Sequence, residues 1–330
     1  MSTETESGLL HAFLLDGKGG AKSLDWAGIA AWTAADGVLW LNLDYGLPDA
    51  AAWLEQSSGI DPVYREALVD SDPRPRAVLH GEDLMMIVRG INQNQGSEPE
   101  DMISLRVWAE PQRVITMRHR VSRSLKQLAS DVGKNKGPRG AADVFVQLID
   151  RVVDHVVVRV VALGDDIAAS EDQILSEKHG GDLRSQLADH RRRAIALRRF
   201  LAPQRDALAK LSTIALPWLS KSEREQIAES ADRMTRSVEE LDAIRDRAAV
   251  TQEEIASRMG ELTNQRIYVL SIITAVFLPL GFVCSLLGVN IGGVPLRDAE
   301  WAFWGLLGLF TVGVAIQLWI FRRRGWIKRD

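Results

Sequence analysis

The rhythm of apolar and polar positions changes along this chain, and each change marks a different kind of element. Up to about residue 120 the apolar runs are short and broken by turn residues. Positions 9–15 and 38–43 read as buried strands running into Gly- or Asp-bearing turns. Positions 49–56 and 62–69 read as short helices, the second opened by Asp61 with Pro62 at the first helical position. Four more apolar runs, 77–80, 84–88, 102–108 and 113–117, are separated by turn residues and predict an antiparallel meander. From residue 141 the period becomes helical. Val144, Leu148, Val152, His155, Arg159 and Leu163 mark one long helix ending in Asp165, Asp166, Glu171, Asp172 and Glu177, with Gly180-Gly181 closing it. A second helix over about 182–212 carries Arg191, Arg192, Arg193, Arg198 and Arg199. Antiparallel packing of the two would set the basic block beside the acidic one. Solvated helix faces explain both blocks; the sharper alternative is that the acidic stretch, with His179 beside it, loosely holds cations.

Between Pro217 and Pro279 the apolar positions Ile227, Met234, Leu241, Ala248, Ile255, Leu262 and Val269 recur every seven residues. Such a repeat argues for helix–helix association with a slight left-handed supercoil. Its companion row, Ala231, Val238, Arg245, Gln252, Met259 and Arg266, is too polar for a tight two-stranded zipper and suits a wider bundle with a wet centre. A single helix over 218–287 would be about 105 Å long.

That helix ends in a charge-free run, 267–287, and a second such run covers 301–321. Each would span about 31 Å as a helix, one hydrocarbon core. The expectation is a membrane hairpin with 288–300 as a short outer loop. Arg322, Arg323, Arg324, Lys328 and Arg329 then put both termini in the cytoplasm by the positive-inside rule. Trp301, Trp304, Trp319 and Trp326 fit interfacial belts. In the first span Asn264, Ile267, Ser271, Thr274, Leu278, Gly281, Ser285 and Gly288 fall at steps of three and four, so they share one stripe. One hairpin cannot enclose a polar path. A ring of identical helices could, each presenting this stripe to a common axis, with Leu270 or Leu278 as constrictions and the small polar residues as wider wet rings. Pro279 loosens the backbone by removing one helix hydrogen bond. Gly288-Val289-Asn290 would close the outer end, the Asn290 oxygens facing the water shell of an entering cation. Glu253 points roughly along the same stripe and is a candidate metal ligand in the stalk, although a solvated stalk face explains it as well.

Net charge is −4 overall; with the tail at +4 and the loop 288–300 at −1, the body before the spans carries −7, which disfavours nucleic acid and mildly favours cationic partners. The polar, acidic N-terminus does not read as a signal peptide. The sole cysteine, Cys284, lies inside the first span, so neither an intrachain disulfide nor a thiolate zinc cluster is expected. No phosphate loop, His-x-x-x-His helix or nucleophile motif points to an enzyme. Asp154 and His155 read as the half-buried polar edge of a Val-rich helix.

The stretches Leu278-Pro279-Leu280 and Gly288-Val289-Asn290-Ile291-Gly292-Gly293-Val294-Pro295 closely resemble the CorA-type divalent metal ion transporter family, in its ZntB-like zinc branch. Ser71-Asp72-Pro73-Arg74-Pro75-Arg76 and Arg89-Gly90-Ile91-Asn92 resemble the same branch. The resemblance implies an α+β chain: a cytoplasmic α/β domain (1–140), a helical pair and stalk (141–266) and a transmembrane hairpin with basic tail (267–330). It also implies a homopentameric funnel in the bacterial inner membrane, with the first span lining the pore and the second facing lipid. Asn290 would belong to the outer filter and Asn264 to a polar ring at the inner mouth, both meeting hydrated ions. The expected cargo is Zn2+ with no resident cofactor, and protons are a second partner if transport is coupled. Magnesium members typically carry Met at the position of Val289 and a glutamate where Leu296 and Arg297 follow Pro295. Magnesium, cobalt or nickel transport and a membrane-tethered signalling coiled coil are the alternatives.

Overall fold

A computed structural model describes residues 7–175, 180–288 and 299–323 and divides into two compact units, Met1–Glu253 and Glu254–Asp330. The first holds a seven-stranded sheet in the order β2-β1-β3-β7-β6-β5-β4. Its strands are β1 (Leu9–Leu15), β2 (Ala21–Ser23), β3 (Leu39–Asp44), β4 (Arg76–His80), β5 (Asp83–Gly90), β6 (Ile103–Ala109) and β7 (Arg113–Arg118). The meander expected from the last four apolar runs is present, with β4 to β7 joined antiparallel in sequence order. The sheet closes by a parallel pairing of β3 with β7, Leu41 opposite Ile115.

Strands β3, β5, β6 and β7 are buried on both faces, so helices must cover both sides. On one side Leu39, Leu41, Leu43, Ile115 and Met117 pack with Ile29 of α1 (Trp26–Ala31), Ala50 and Leu54 of α2 (Pro48–Gln56) and Leu68 of α3 (Pro62–Val69). As the sequence predicts, Asp61 caps α3, its carboxylate accepting from the Val63 amide at 2.9 Å, and Pro62 takes the first position. On the other side α5 (Ala141–Leu175) packs on β3, β5, β6 and β7, and α6 (Gly180–Ser212) packs on β4, β5 and α5. The helix α4 (Arg123–Val132), capped by Ser122, packs on α5. Gly180 and Gly181 open α6 rather than close α5. His179 and Glu177 lie outside the described residues.

Two buried arginines pin the loop after α3. Arg89 is only 9% exposed; its guanidinium donates to Asp72 Oδ1 at 2.6 Å and to the Pro73 carbonyl at 3.0 Å, and lies 4.5 Å from the Phe200 ring centre. Its backbone amide donates to the buried Gln204 of α6 at 2.6 Å. Arg106 donates to the Asp70 carbonyl at 2.6 Å and sits over Tyr45; burial pushes its pKa down. The two family-like stretches at 71–76 and 89–92 therefore meet, and they clasp the sheet to α6.

A long helix, α7 (Lys221–Gly288), starts at a capping box: the Ser220 amide donates to Glu223 at 2.7 Å and the Glu223 amide to the Ser220 hydroxyl at 3.3 Å. The seven-residue row on this helix has a different partner from the one expected. Ile227, Met234, Leu241 and Ala248 are fully buried and Ile255 nearly so, all within one chain. A row that is already dry in the monomer cannot be the wet seam of a bundle of copies. Leu262 and Val269, at the end of the row, are exposed. The charge blocks also depart from expectation. Among the described residues no ion pair joins the acidic end of α5 to the arginines of α6. Glu171 instead pairs with Arg247 of α7, Asp150 and Asp154 pair with Arg233 of α7, and Arg198 pairs with Asp242 of α7 at 2.6 Å. Helix α7 thus takes carboxylate partners from α5 on one flank and a guanidinium from α6 on the other.

Candidate ion pathway

The second unit contains the end of α7 and α8 (Ala302–Arg323). Both hold a stretch long and apolar enough to cross a membrane, and among the described residues none of either stretch is fully buried. On α7 the half-buried residues are Ile272, Ala275, Val276, Leu280 and Val283. On α8 they are Ala302, Leu306, Phe310, Val314 and Gln317, spaced to form one face. The two rows are joined by a hydrogen bond from Gln317 Nε2 to the Ala275 carbonyl at 2.6 Å. At about 100° per residue, the stripe Asn264, Ile267, Ser271, Thr274, Leu278, Gly281, Ser285 and Gly288 lies on the side of α7 away from that row. All eight residues are exposed.

The chemistry of the stripe is neutral. The Ser271 hydroxyl donates to the Ile267 carbonyl at 2.8 Å and the Thr274 hydroxyl to the Leu270 carbonyl at 2.9 Å. Each oxygen keeps lone pairs for water while its own proton is satisfied. Leu278 is 68% exposed, a large apolar side chain with no cover from its own chain. Gly281 also borders a groove with Phe277, Cys284 and Phe310. Gly288 is the last residue of α7, whereas Val289 and Asn290 lie outside the described residues, as do the loop through 298 and the tail from 324.

Gln317 was not singled out from the sequence, and the signal for it was there. Proline has no amide hydrogen, so Pro279 leaves the carbonyl four residues earlier, that of Ala275, without its helical donor. Gln317, the one side-chain amide in the second charge-free run, supplies the missing donor. In hydrocarbon no water can do so.

A second signal lies further down α7. Continuing the stripe towards the N-terminus by steps of three and four passes through Gly260, Ser257, Glu253, Val250 and Asp246. At every seventh position stand Glu225, Asp232, Glu239, Asp246 and Glu253, all exposed. Lys221 pairs with Glu225 at 3.7 Å and Arg245 with Asp246 at 2.8 Å, while Asp232, Glu239 and Glu253 have no ion pair among the described residues. This column sits about 160° around the helix from the buried row, since Glu253 is two residues from Ile255. The row and the column share a period because one helix serves both. Among the described residues no three His, Cys, Asp or Glu side chains cluster as a metal site. His155 bonds Ser124 at 3.1 Å, and burial, then Arg123, lower its pKa.

A family model described as CorA-like Mg2+ transporter protein matches residues 35–323. The chain belongs to the CorA-like family. This CorA-like protein is thus a membrane transporter of divalent cations with two C-terminal apolar helices. It is 39% identical over 325 residues to the divalent cation transporter CmaX of Pseudomonas aeruginosa, with 98% of each chain covered. The solved structure of full-length CmaX superposes with a TM-score of 0.85, covering 96% of this chain and 98% of that one. The zinc transport protein ZntB of Yersinia enterocolitica is 33% identical over 321 residues, with 97% of each covered. The CorA magnesium transporter of Methanocaldococcus jannaschii shares the fold, with a TM-score of 0.81 at 18% identity over 99% of this chain and 100% of that one.

Proposed function

We propose that this protein moves zinc across the bacterial inner membrane as a homopentamer whose five copies of α7 line a central pore. Residues 1–140 and 141–266 form its cytoplasmic part and 267–330 its membrane hairpin and tail; both termini are cytoplasmic and the loop 288–300 is outside. The observation that carries this reading is the division of labour around α7. Its apolar row is spent within the chain on 227–255 and its half-buried row on the Gln317 side of the hairpin. The face left over is acidic at Glu225 to Glu253 and uncharged from Gly260 to Gly288, mostly small residues with Ile267 and Leu278 between them. A ring of such faces places carboxylates where they concentrate cations, then uncharged rings that hold hydrated ions weakly enough to release them. Asn264 and Asn290 would contact the water shell at the two mouths, and Leu278 would form a constriction.

Zinc is favoured by the likeness to the zinc transport protein ZntB, by Val289 and by the absence of an acidic residue at Leu296 and Arg297. The magnesium, cobalt and nickel readings use the same pore. The signalling alternative needs an outer ligand-binding part that residues 288–300 are too short to supply.

The test is flux of zinc, magnesium, nickel and cadmium into liposomes holding the purified protein, with and without a pH gradient. Zinc flux should exceed that of magnesium, and Asn290→Ala should reduce it at least about tenfold while native mass stays that of a pentamer. Absence of flux for every divalent ion overturns the transport reading, and wild-type rates in the Asn290 variant remove it from the filter.

A further inference from the structure

The half-buried row of α8 carries one polar side chain. Ala302, Leu306, Phe310 and Val314 are apolar, as are the half-buried residues of α7. Gln317 alone in that row has a side-chain donor, and it gives it to the Ala275 carbonyl at 2.6 Å. The stripe read as a pore lining makes no use of it. Gln317 stands on the other helix, and Ala275 lies outside the stripe.

Pro279 makes the position of that carbonyl matter. A proline ring collides with the carbonyl four residues earlier and opens the helix on that side, so the part beyond leans away. At about 100° per residue, the middle of the stripe from Ile267 to Gly288 lies about 130° around α7 from Pro279. The lean is therefore directed mostly towards the stripe. Its size depends on how far the Ala275 carbonyl swings out, and Gln317 holds that carbonyl. The lever beyond the proline is long. Gly288 stands nine residues past Pro279, about 13 Å along the helix, so a change of about 10° in the bend moves it by about 2 Å. In a ring of such helices the inward share of that movement alters the opening by about 3 Å, the width of one water molecule.

We infer that Gln317 is a positioning residue for transport. Its bond to Ala275 sets the bend of α7 at Pro279, and through that bend the bore at Gly281, Ser285 and Gly288. The inference rests on the pore read above. Without the bond the carbonyl has no fixed partner on α8, and the copies in the ring no longer share one lean. A residue that touches no ion thus governs how fast ions pass.

The test uses the full chain in lipid bilayers, with spin labels placed in a Cys284→Ser background. S285C reports the part of α7 beyond the proline and I267C the part before it. Gln317→Leu should widen the spread of S285C distances between copies by at least about 3 Å and leave the I267C distances as they were. Zinc flux per assembled ring should fall at least about threefold, because the copies no longer present one bore. In a Pro279→Ala background Gln317→Leu should alter neither distances nor flux further, since the alanine amide answers the Ala275 carbonyl. Unchanged distances and flux in Gln317→Leu overturn the role. An equal spread at I267C would mean general loosening, and an equal loss in the Pro279→Ala background would cut the link to the proline; each overturns it too. A wild type that passes no divalent ion, while native mass shows the ring, overturns the pore reading and leaves the distances to decide the bend. A wild-type mass of one or two chains overturns the ring and this role together.

Discussion

The bond from Gln317 to the carbonyl that Pro279 leaves bare makes a prediction with a built-in control. Replacing Gln317 by Leu keeps the apolar bulk of the face and removes the side-chain donor to the Ala275 carbonyl. Hydrogen bonds between membrane helices average about 0.6 kcal/mol and reach about 1.7, because a freed group usually finds another partner. Pro279 takes away the ordinary helical donor of the Ala275 carbonyl, so the cost belongs at the upper end, about 1–2 kcal/mol, or about 5- to 30-fold in the folded ratio. The control is Pro279→Ala. Alanine restores the amide that donates to Ala275, and in that background Gln317→Leu should cost less than about 0.5 kcal/mol. All four members of the cycle would be unfolded by SDS titration of the full chain in mixed micelles at one protein concentration, followed by tryptophan fluorescence. Equal costs of Gln317→Leu in the two backgrounds would refute the reasoning, for the amide would then be answering some other need than the proline.

Two further outcomes follow from the first unit, Met1–Glu253. Arg89→Met should raise amide exchange in β5 and α6 by about 30- to 150-fold, from the loss of about 2–3 kcal/mol in charge-assisted and cation–π contacts, whereas Asp72→Asn, whose side chain is 65% exposed, should change it less than about fivefold. His155 has its pKa lowered by burial and Arg123, so the unfolded chain takes up the proton first; the first unit should lose stability as pH falls from about 6.5, and His155→Gln should flatten that slope in thermal melts.

Much of the fold was legible because its signals are local. The alternation in 77–117 and the Asp61-Pro62 cap specify strands and a helix start without reference to the rest of the chain. The elements that were missed carry weak local signals: β2 is three residues long, and α1 is six residues with one buried side chain. The pairing of β3 with β7 joins segments about seventy residues apart and leaves no mark in either. The seven-residue row illustrates a different limit. A periodic apolar stripe tells that a helix has a partner but not whether the partner belongs to the same molecule, and Leu241 was already fully covered. Gln317 was readable only in combination with Pro279, which acts on a residue four places away from itself.

The shared period of α7 has a consequence for how this helix can vary. A single residue inserted between Glu253 and Asn264 would swing everything beyond it by about 100° around the axis, turning the Ser271 and Thr274 hydroxyls towards the Gln317 side and bringing Phe277 and Cys284 to the face they leave. Lengthening or shortening here is tolerable only in whole heptads. Natural variants of this segment should therefore differ in length by seven or not at all, as though the helix were cut from a ruled strip.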